Sequence, residues 1–256
     1  MTIRSNSQNG DTQTATVAVI ITAAGSSTRM GGTKKEYLPL GKGTVLSQCI
    51  KAFMDASGNK EHPFNISRIV ITVPTSGTDK AKQAASPAHC PIAIDYVEGG
   101  STRQLSVLNA LEHIKKSGDT AAYVLIHDGA RPFVTTELIQ EVLQATQKYE
   151  AATPGITPTD TIKGLDDDGF IVTHLVRSTL TAVQTPQGFA FERLYDAHKK
   201  AQTDGHEYTD DSEIWGKYCG KVKLVTGDVS NAKVTFTGDI ERWIATGPSL
   251  HSGSSQ

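Results

Sequence analysis

Cysteine is scarce in this chain. Cys49, Cys90 and Cys219 are its only three in 256 residues, odd in number, widely spaced and without a C-x-x-C pair. That speaks against a disulfide framework or a structural zinc site and fits a reducing cytoplasm. Long apolar runs are missing too. The longest, around Val17 to Ile21, falls far short of the roughly 20 residues a membrane helix needs. The polar opening Met1 to Thr16, with Asp11, lacks the apolar stretch of a secretory signal and the Arg-rich character of a transit peptide, so neither is expected. No sign of charge dominates either. Lys and Arg number 25 against 27 Asp and Glu, a net charge of −2. General nucleic-acid or anionic-membrane binding is therefore not expected, and positive charge is left to a local pocket.

What is present suits a globular α/β protein. Hydrophobic residues make up 38% of the chain and charged ones 20%, enough apolar material for one large domain or two small ones. Residues 1–15 and 247–256 have the short polar composition of loose ends, leaving 16–246 as the folded unit. Within it, strand-like runs alternate with helical spacing. Val17 to Thr22 reads as a strand buried on both faces. Val45, Leu46, Cys49, Ile50, Phe53 and Met54 then recur at helical spacing. Arg68 to Val73, Ile92 to Val97 and Tyr123 to His127 read as further strands. A helix carries Leu105, Leu108, Leu111 and Ile114, and another runs from Leu138 to Thr146 after the capping residues Thr135 and Thr136. This rhythm predicts right-handed βαβ units and a doubly wound, mostly parallel sheet.

The rhythm breaks after Ala151. Pro154 to Thr185 carries turn-forming prolines, a D-D-D-G turn at Asp166 to Gly169 and β-branched flanks, and predicts a hairpin arm projecting from the sheet. Helices are expected at Phe191 to Ala201, near Asp211 to Tyr218 and at Ile240 to Ala245, with a late strand at Lys221 to Thr226.

In sheets of this class ligands bind beyond the carboxyl ends of the strands. The loop after the first strand, Ala23-Ala-Gly-Ser-Ser-Thr-Arg-Met-Gly-Gly-Thr-Lys-Lys-Glu-Tyr37, combines glycines, whose backbone admits an anion closely, with Arg29, Lys34 and Lys35. That combination suits a polyphosphate, although the loop is neither a Walker A nor a G-x-G-x-x-G motif; a surface turn with solvated lysines has the same composition. Glu98 to Ser106 places Gly99, Gly100, Ser101 and Thr102 where a strand meets a helix, fit for reading a polar ligand edge or simply for capping. His127-Asp-Gly-Ala-Arg-Pro132 puts Asp128 at a buried strand end, the place for a carboxylate that meets a metal or a sugar hydroxyl, or that pairs with Arg131. His127 reads as a satisfied buried histidine, since no nucleophile adjoins it. Asp210 and Asp211 fit the N-terminus of the helix they precede.

The six ordered motifs A-A-G-S-S-T-R-M…K-K-E-Y, E-G-G-S-T-R-Q-L-S-V, H-D-G-A-R-P, T-D-T-I-K, T-P-Q-G-F and N-A-K-V-T, spread from about Val17 to Ala245, resemble those of the 2-C-methyl-D-erythritol 4-phosphate cytidylyltransferase family. The resemblance implies a Rossmann-like nucleotidyltransferase domain whose β-arm hooks two subunits into a homodimer. It implies transfer of cytidylyl from CTP to methylerythritol phosphate, with Mg²⁺, in non-mevalonate isoprenoid synthesis. By position it sets Ala23, Ala24 and Gly25 against CTP and Arg29 and Lys35 on its phosphates. Gly100, Ser101 and Ser106 would take the cytosine side, and Asp128 would lie near the ribose and the metal. Arg131, Thr185, Thr209 and Lys233 would meet the second substrate, with Thr161 and Arg177 from a partner's arm. Glu36 and Ser101 depart from the family pattern, which commonly has glutamine at the first position and in some members aspartate at the second.

The chemistry agrees. A phosphomonoester with a second pKa near ~6 is largely a dianion at neutral pH and already a nucleophile, so no general base is required. What is required is positive charge around the α-phosphorus. Arg29, Lys35 and Lys233 are expected to supply it, with Lys34 a nearly silent neighbour. A ribitol 5-phosphate cytidylyltransferase or a CTP-binding regulatory protein are the competing readings; A-A-G-S rather than L-A-G-G in the first loop favours methylerythritol phosphate.

Overall fold

The apolar run after the polar opening forms β1 (Ala15–Thr22), in which every residue from Val17 to Ile21 is fully buried. Side chains alternate across a strand. Val17, Val19 and Ile21 accordingly pack into one core and Ala18 and Ile20 into another on the opposite face. Full burial of each large apolar side chain contributes roughly 1.5–3 kcal/mol, which is why this strand sits at the centre. The structure, a computed structural model, describes residues 15–25, 34–57, 64–235 and 238–240. The expected loose ends lie outside the described residues, apart from Ala15, which already belongs to β1.

A small ribbon of β2 (Pro39–Leu40) and β3 (Gly43–Thr44) leads into α1 (Val45–Ser57). Then follow β4 (Phe64–Val73), α2 (Thr78–Ala85), β5 (Ile94–Glu98), α3 (Arg103–Lys116), β6 (Tyr123–Asp128), α4 (Thr136–Tyr149) and β7 (Ala151–Ile156). β8 (Lys163–Leu165) and β9 (Ile171–His174) make a hairpin, and β10 (Ala182–Val183), β11 (Gln187–Ala190), α5 (Phe191–Ala201), α6 (Asp211–Tyr218) and β12 (Lys223–Thr226) follow. The sheet runs β10-β7-β11-β6-β1-β4-β5, with β12 also paired to β7. β1 is parallel to β4 and β6, and β4 to β5. Helices α1 and α4 cover one face through Leu46, Ile50, Phe53, Leu138 and Val142. Helices α3 and α5 cover the other through Val107, Leu111, Ile114 and Leu194. The doubly wound, mostly parallel sheet is thus as expected. None of the helices among the described residues is long and apolar enough to cross a membrane.

Capping follows the sequence signals. Thr102 and Thr135 accept from the Leu105 and Leu138 amides at the starts of α3 and α4, and Asp210 accepts from the Glu213 amide of α6.

The arm differs. The arm is shorter than Pro154 to Thr185: Pro154 to Ile156 belong to β7, and Ala182 and Val183 pair with it as β10, so only the hairpin and its connections stand off the sheet. Proline signalled turns here, yet Pro154 closes the ladder through its carbonyl, which accepts from the Gln184 amide at 2.8 Å. The expected D-D-D-G turn is present, with Gly169 at φ +87°, the left-handed region glycine favours. Part of T-P-Q-G-F is a strand: β11 enters antiparallel between β6 and β7. Residues 238–240 are helical, and the rest of the expected closing helix lies outside the described residues.

Candidate active site

The parallel strands β1, β4, β5 and β6 end on one side of the sheet, and there a cavity of about 760 Å³ opens, within the size range of small-molecule sites. Its walls come from those strand ends and the loops that follow: Thr22, Ala24 and Gly25 after β1, Val73 to Thr75 after β4, Gly99 to Arg103 and Ser106 after β5, and Asp128 and Ala130 after β6. Lys35, Glu36, Glu207 and Lys233 complete it.

Asp128 is the hub. Lys233 Nζ lies 2.7 Å from its Oδ2, Arg103 Nε 3.7 Å from Oδ1 and Arg131 Nε 3.8 Å from Oδ2. Burial alone pushes this carboxyl up; the attraction of Lys233, Arg103 and Arg131 overcomes it and holds the group well below the usual carboxylate range. Its amide donates to Thr185 Oγ1 at 3.0 Å, and that hydroxyl in turn meets His127 Nδ1 at 3.1 Å. His127 Nε2 lies 3.0 Å from the Arg131 carbonyl. Fully buried with both nitrogens engaged, His127 is pushed down to about 4 by burial. It is a structural histidine, as expected, and supplies no base.

The glycines of the second loop are there for close approach. A Cβ on Gly99 would come within 2.3 Å of Ala24 Cβ, and one on Gly100 within 2.3 Å of Leu105 Cβ. Ser106 accepts from the Gly100 amide at 3.1 Å and donates to the Thr102 carbonyl at 2.8 Å, so it shapes this loop from beneath. Ala23 supports the first loop in the same way, its amide donating to the Thr72 carbonyl at 3.1 Å.

Lys34 departs from expectation. It is no solvated neighbour of Lys35: its Nζ donates to the Ala23 carbonyl at 3.2 Å and to the Gly25 carbonyl, and burial lowers its pKa. Backbone carbonyls that gather an ammonium fix the loop in place, a partner no sequence motif displays. Glu36 beside it is buried, with Oε2 lacking a partner. Burial raises its pKa, with the Asp128 charge adding to the rise and Lys34 and Lys35 opposing it.

The cavity therefore unites Ala24, Gly25, Lys35, Gly100, Ser101, Ser106, Asp128 and Lys233, with Ala23 directly below. Arg131 stands behind Asp128, its Nη1 donating to the Asn231 carbonyl at 2.7 Å. Thr185 is buried under the same carboxylate. Thr209 is exposed and bonds Glu213. Thr161 and Arg177 are exposed on the arm, where Arg177 donates to the Thr159 carbonyl, and neither lines the cavity of its own chain. Arg29 lies outside the described residues.

Arg103 went unread in the sequence. A signal was there: it opens α3 directly after its cap, where the helix dipole disfavours a cation unless a carboxylate holds it. As to a metal, the described residues contain no group of three or more His, Cys, Asp or Glu able to hold one. Asp128, already facing three cations, fits magnesium only as one ligand beside phosphate oxygens and water.

The model of the 2-C-methyl-D-erythritol 4-phosphate cytidylyltransferase (IspD) family matches residues 17–245. Enzymes of that name from Clostridium beijerinckii and Caldanaerobacter subterraneus are 37% and 39% identical over 225 residues, covering 88% of this chain and 95% of each relative. Among solved structures, the 4-diphosphocytidyl-2C-methyl-D-erythritol synthase of Anaerococcus prevotii superimposes with a TM-score of 0.75 at 31% identity, over 90% of this chain and 95% of that one. The 2-C-methyl-D-erythritol 4-phosphate cytidylyltransferase of Thermus thermophilus does so with a TM-score of 0.69 at 30% identity, over 90% and 97%.

Proposed function

This chain belongs to the 2-C-methyl-D-erythritol 4-phosphate cytidylyltransferase family, and on that premise we propose how its cavity works. The enzyme joins CTP and 2-C-methyl-D-erythritol 4-phosphate into 4-diphosphocytidyl-2-C-methyl-D-erythritol, releasing pyrophosphate, in isoprenoid biosynthesis. A phosphate oxygen of methylerythritol phosphate attacks the α-phosphorus of CTP, and the bond from that phosphorus to the oxygen bridging to the β-phosphate breaks. The nucleophile is already ionised near neutral pH, so no protein base takes part. The observation that carries this reading is a cavity lined by Lys35, Lys233 and Arg103 at the ends of the parallel strands, beside a histidine with no free nitrogen.

The Gly99–Gly100 loop and the Ala24–Gly25 turn approach CTP with backbone, Ser101 and Ser106 lie on its cytosine side, and Lys35 and Arg29 take its phosphates. Lys233 leaves the Asp128 carboxylate to meet the charge that grows on the α-phosphoryl oxygens. Asp128 would hold magnesium together with CTP, and the ion would supply further neutralisation of that charge. Arg131, Thr185 and Thr209 border the second substrate. Thr161 and Arg177 reach it from the arm of a partner subunit in a homodimer working in the cytoplasm. Incubation with CTP, Mg²⁺ and either methylerythritol phosphate or ribitol 5-phosphate, followed by pyrophosphate release, tests the reading. Release with the first substrate alone supports it, and release with the second alone, or none, refutes it.

A further inference from the structure

Asp210 caps α6 through the Glu213 amide, and Gln187 takes the Ser212 amide. Its neighbour Asp211 is left with no part in the cap, yet it is fully buried. A carboxylate taken out of water is costly unless held by opposite charge and hydrogen bonds, so its partners state what it is for. One oxygen, Oδ1, lies 3.1 Å from Nε2 of His198, itself fully buried on α5. The other, Oδ2, lies 2.7 Å from Nη1 of Arg103. His198 Nδ1 is buried without a partner, which places the imidazole as an Nε2–H donor toward Asp211.

Arg103 stands at the first position of α3, where the helix dipole repels it, and it lines the cavity. One edge is taken by Asp211 in the core; Nε faces Asp128 at 3.7 Å on the cavity floor. A line of alternating charge thus runs from Asp211 through Arg103 and Asp128 to Lys233, with the His198 imidazole at its buried end. A planar fork of five donors can keep one partner along one edge while presenting fixed donors to another; an ammonium offers only three donors about a single point.

We propose that Asp211, oriented by His198, is a positioning residue that holds Arg103 over the cavity as a fixed cation for the CTP phosphates, although Asp211 itself never reaches the ligand. This rests on the CTP reading of the cavity. Because Asp211 keeps its hold when Asp128 and Lys233 part, Arg103 is already in place before CTP enters, while Lys233 moves.

The test is a double-mutant cycle in the full chain: wild type, Asp211→Asn, Arg103→Gln and the double variant, each measured for kcat, KM for CTP, CTP affinity by calorimetry and Tm. Asp211→Asn should lower kcat/KM for CTP about tenfold and Arg103→Gln more. In the Arg103→Gln background, Asp211→Asn should cost no further activity, because the group it acts through is gone. Losses that multiply, or an Asp211→Asn enzyme that loses Tm while keeping kcat/KM, would overturn the proposal. Should Asp211→Asn fail to fold, Arg103→Lys decides: it should keep Tm within a few degrees and lose at least tenfold in kcat/KM, and wild-type activity there would contradict it. If the wild type binds CTP but turns over another polyol phosphate, the substrate reading fails while CTP affinity still reads the cycle. A wild type that does not bind CTP ends both.

Discussion

Lys233 Nζ and Asp128 Oδ2 lie 2.7 Å apart although 105 positions separate them in the chain. The lysine side chain is 44% exposed and the aspartate 11%, so the pair sits at the cavity wall with its anion inside and its cation toward solvent. Such a cation can exchange one anionic partner for another without leaving the site, which an incoming triphosphate requires.

Removing the carboxylate should be severe. Asp128→Asn would leave Lys233, Arg103 and Arg131 facing one another and, on the proposed reading, would remove the carboxylate that would hold magnesium. Turnover should fall by about two orders of magnitude, and excess EDTA should abolish the wild-type reaction. Undiminished turnover in the variant, or full activity in EDTA, contradicts the assignment.

Acid should weaken the fold through His127. Its pKa is about 4 in the folded protein, against roughly 6.5 in an unfolded chain. Between these values the unfolded state binds the proton first. The contribution is therefore complete above about pH 6.5 and is lost as pH falls toward 4, on the order of 3 kcal/mol in all. Asp128, held below its ordinary range, adds its own loss only below about pH 4. Denaturant unfolding at pH 7.5 and pH 5 should show a stability loss in the wild type that shrinks in His127→Gln; equal losses in both would exclude this origin.

The arm should make a dimer. Leu165, Phe170, Ile171, Val172 and Val176 are each more than half exposed in the single chain, an apolar surface that water does not favour. Phe170→Asp with Val176→Asp should give monomers in sedimentation at micromolar concentration and lower activity sharply, because the proposed reading has Thr161 and Arg177 act across the interface. A fully active monomer, wild type or variant, would rule this out.

The sequence disclosed what local physics dictates. Val17 to Ile21 announced a central strand because both its faces are buried, and Thr135 announced a helix start because its hydroxyl has a set partner three residues on. Asp128 was legible because a carboxylate ending a buried run is costly without a task. The hidden parts depend on partners distant in sequence or on backbone. Asp211 looked like one more capping residue until Arg103 and His198 were seen around it. Lys34 looked like a nearly silent neighbour of Lys35, and only the folded loop brings the Ala23 and Gly25 carbonyls to it. Strand β11, four residues long with Pro186 just ahead of it, carries too short a pattern to declare its place between β6 and β7.

Lys35→Ala and Lys233→Ala, each compared with Lys80→Ala on the exposed surface of α2, test the central claim most directly: the cavity's cations act on the transition state. With kcat and CTP dissociation constant measured side by side, both variants should lose roughly two to three orders of magnitude in kcat and much less in CTP affinity. Lys34→Ala, which releases the first loop, should fall between them and the unchanged Lys80→Ala. Small and equal effects in all four would contradict the account, as would losses in CTP affinity as large as those in kcat.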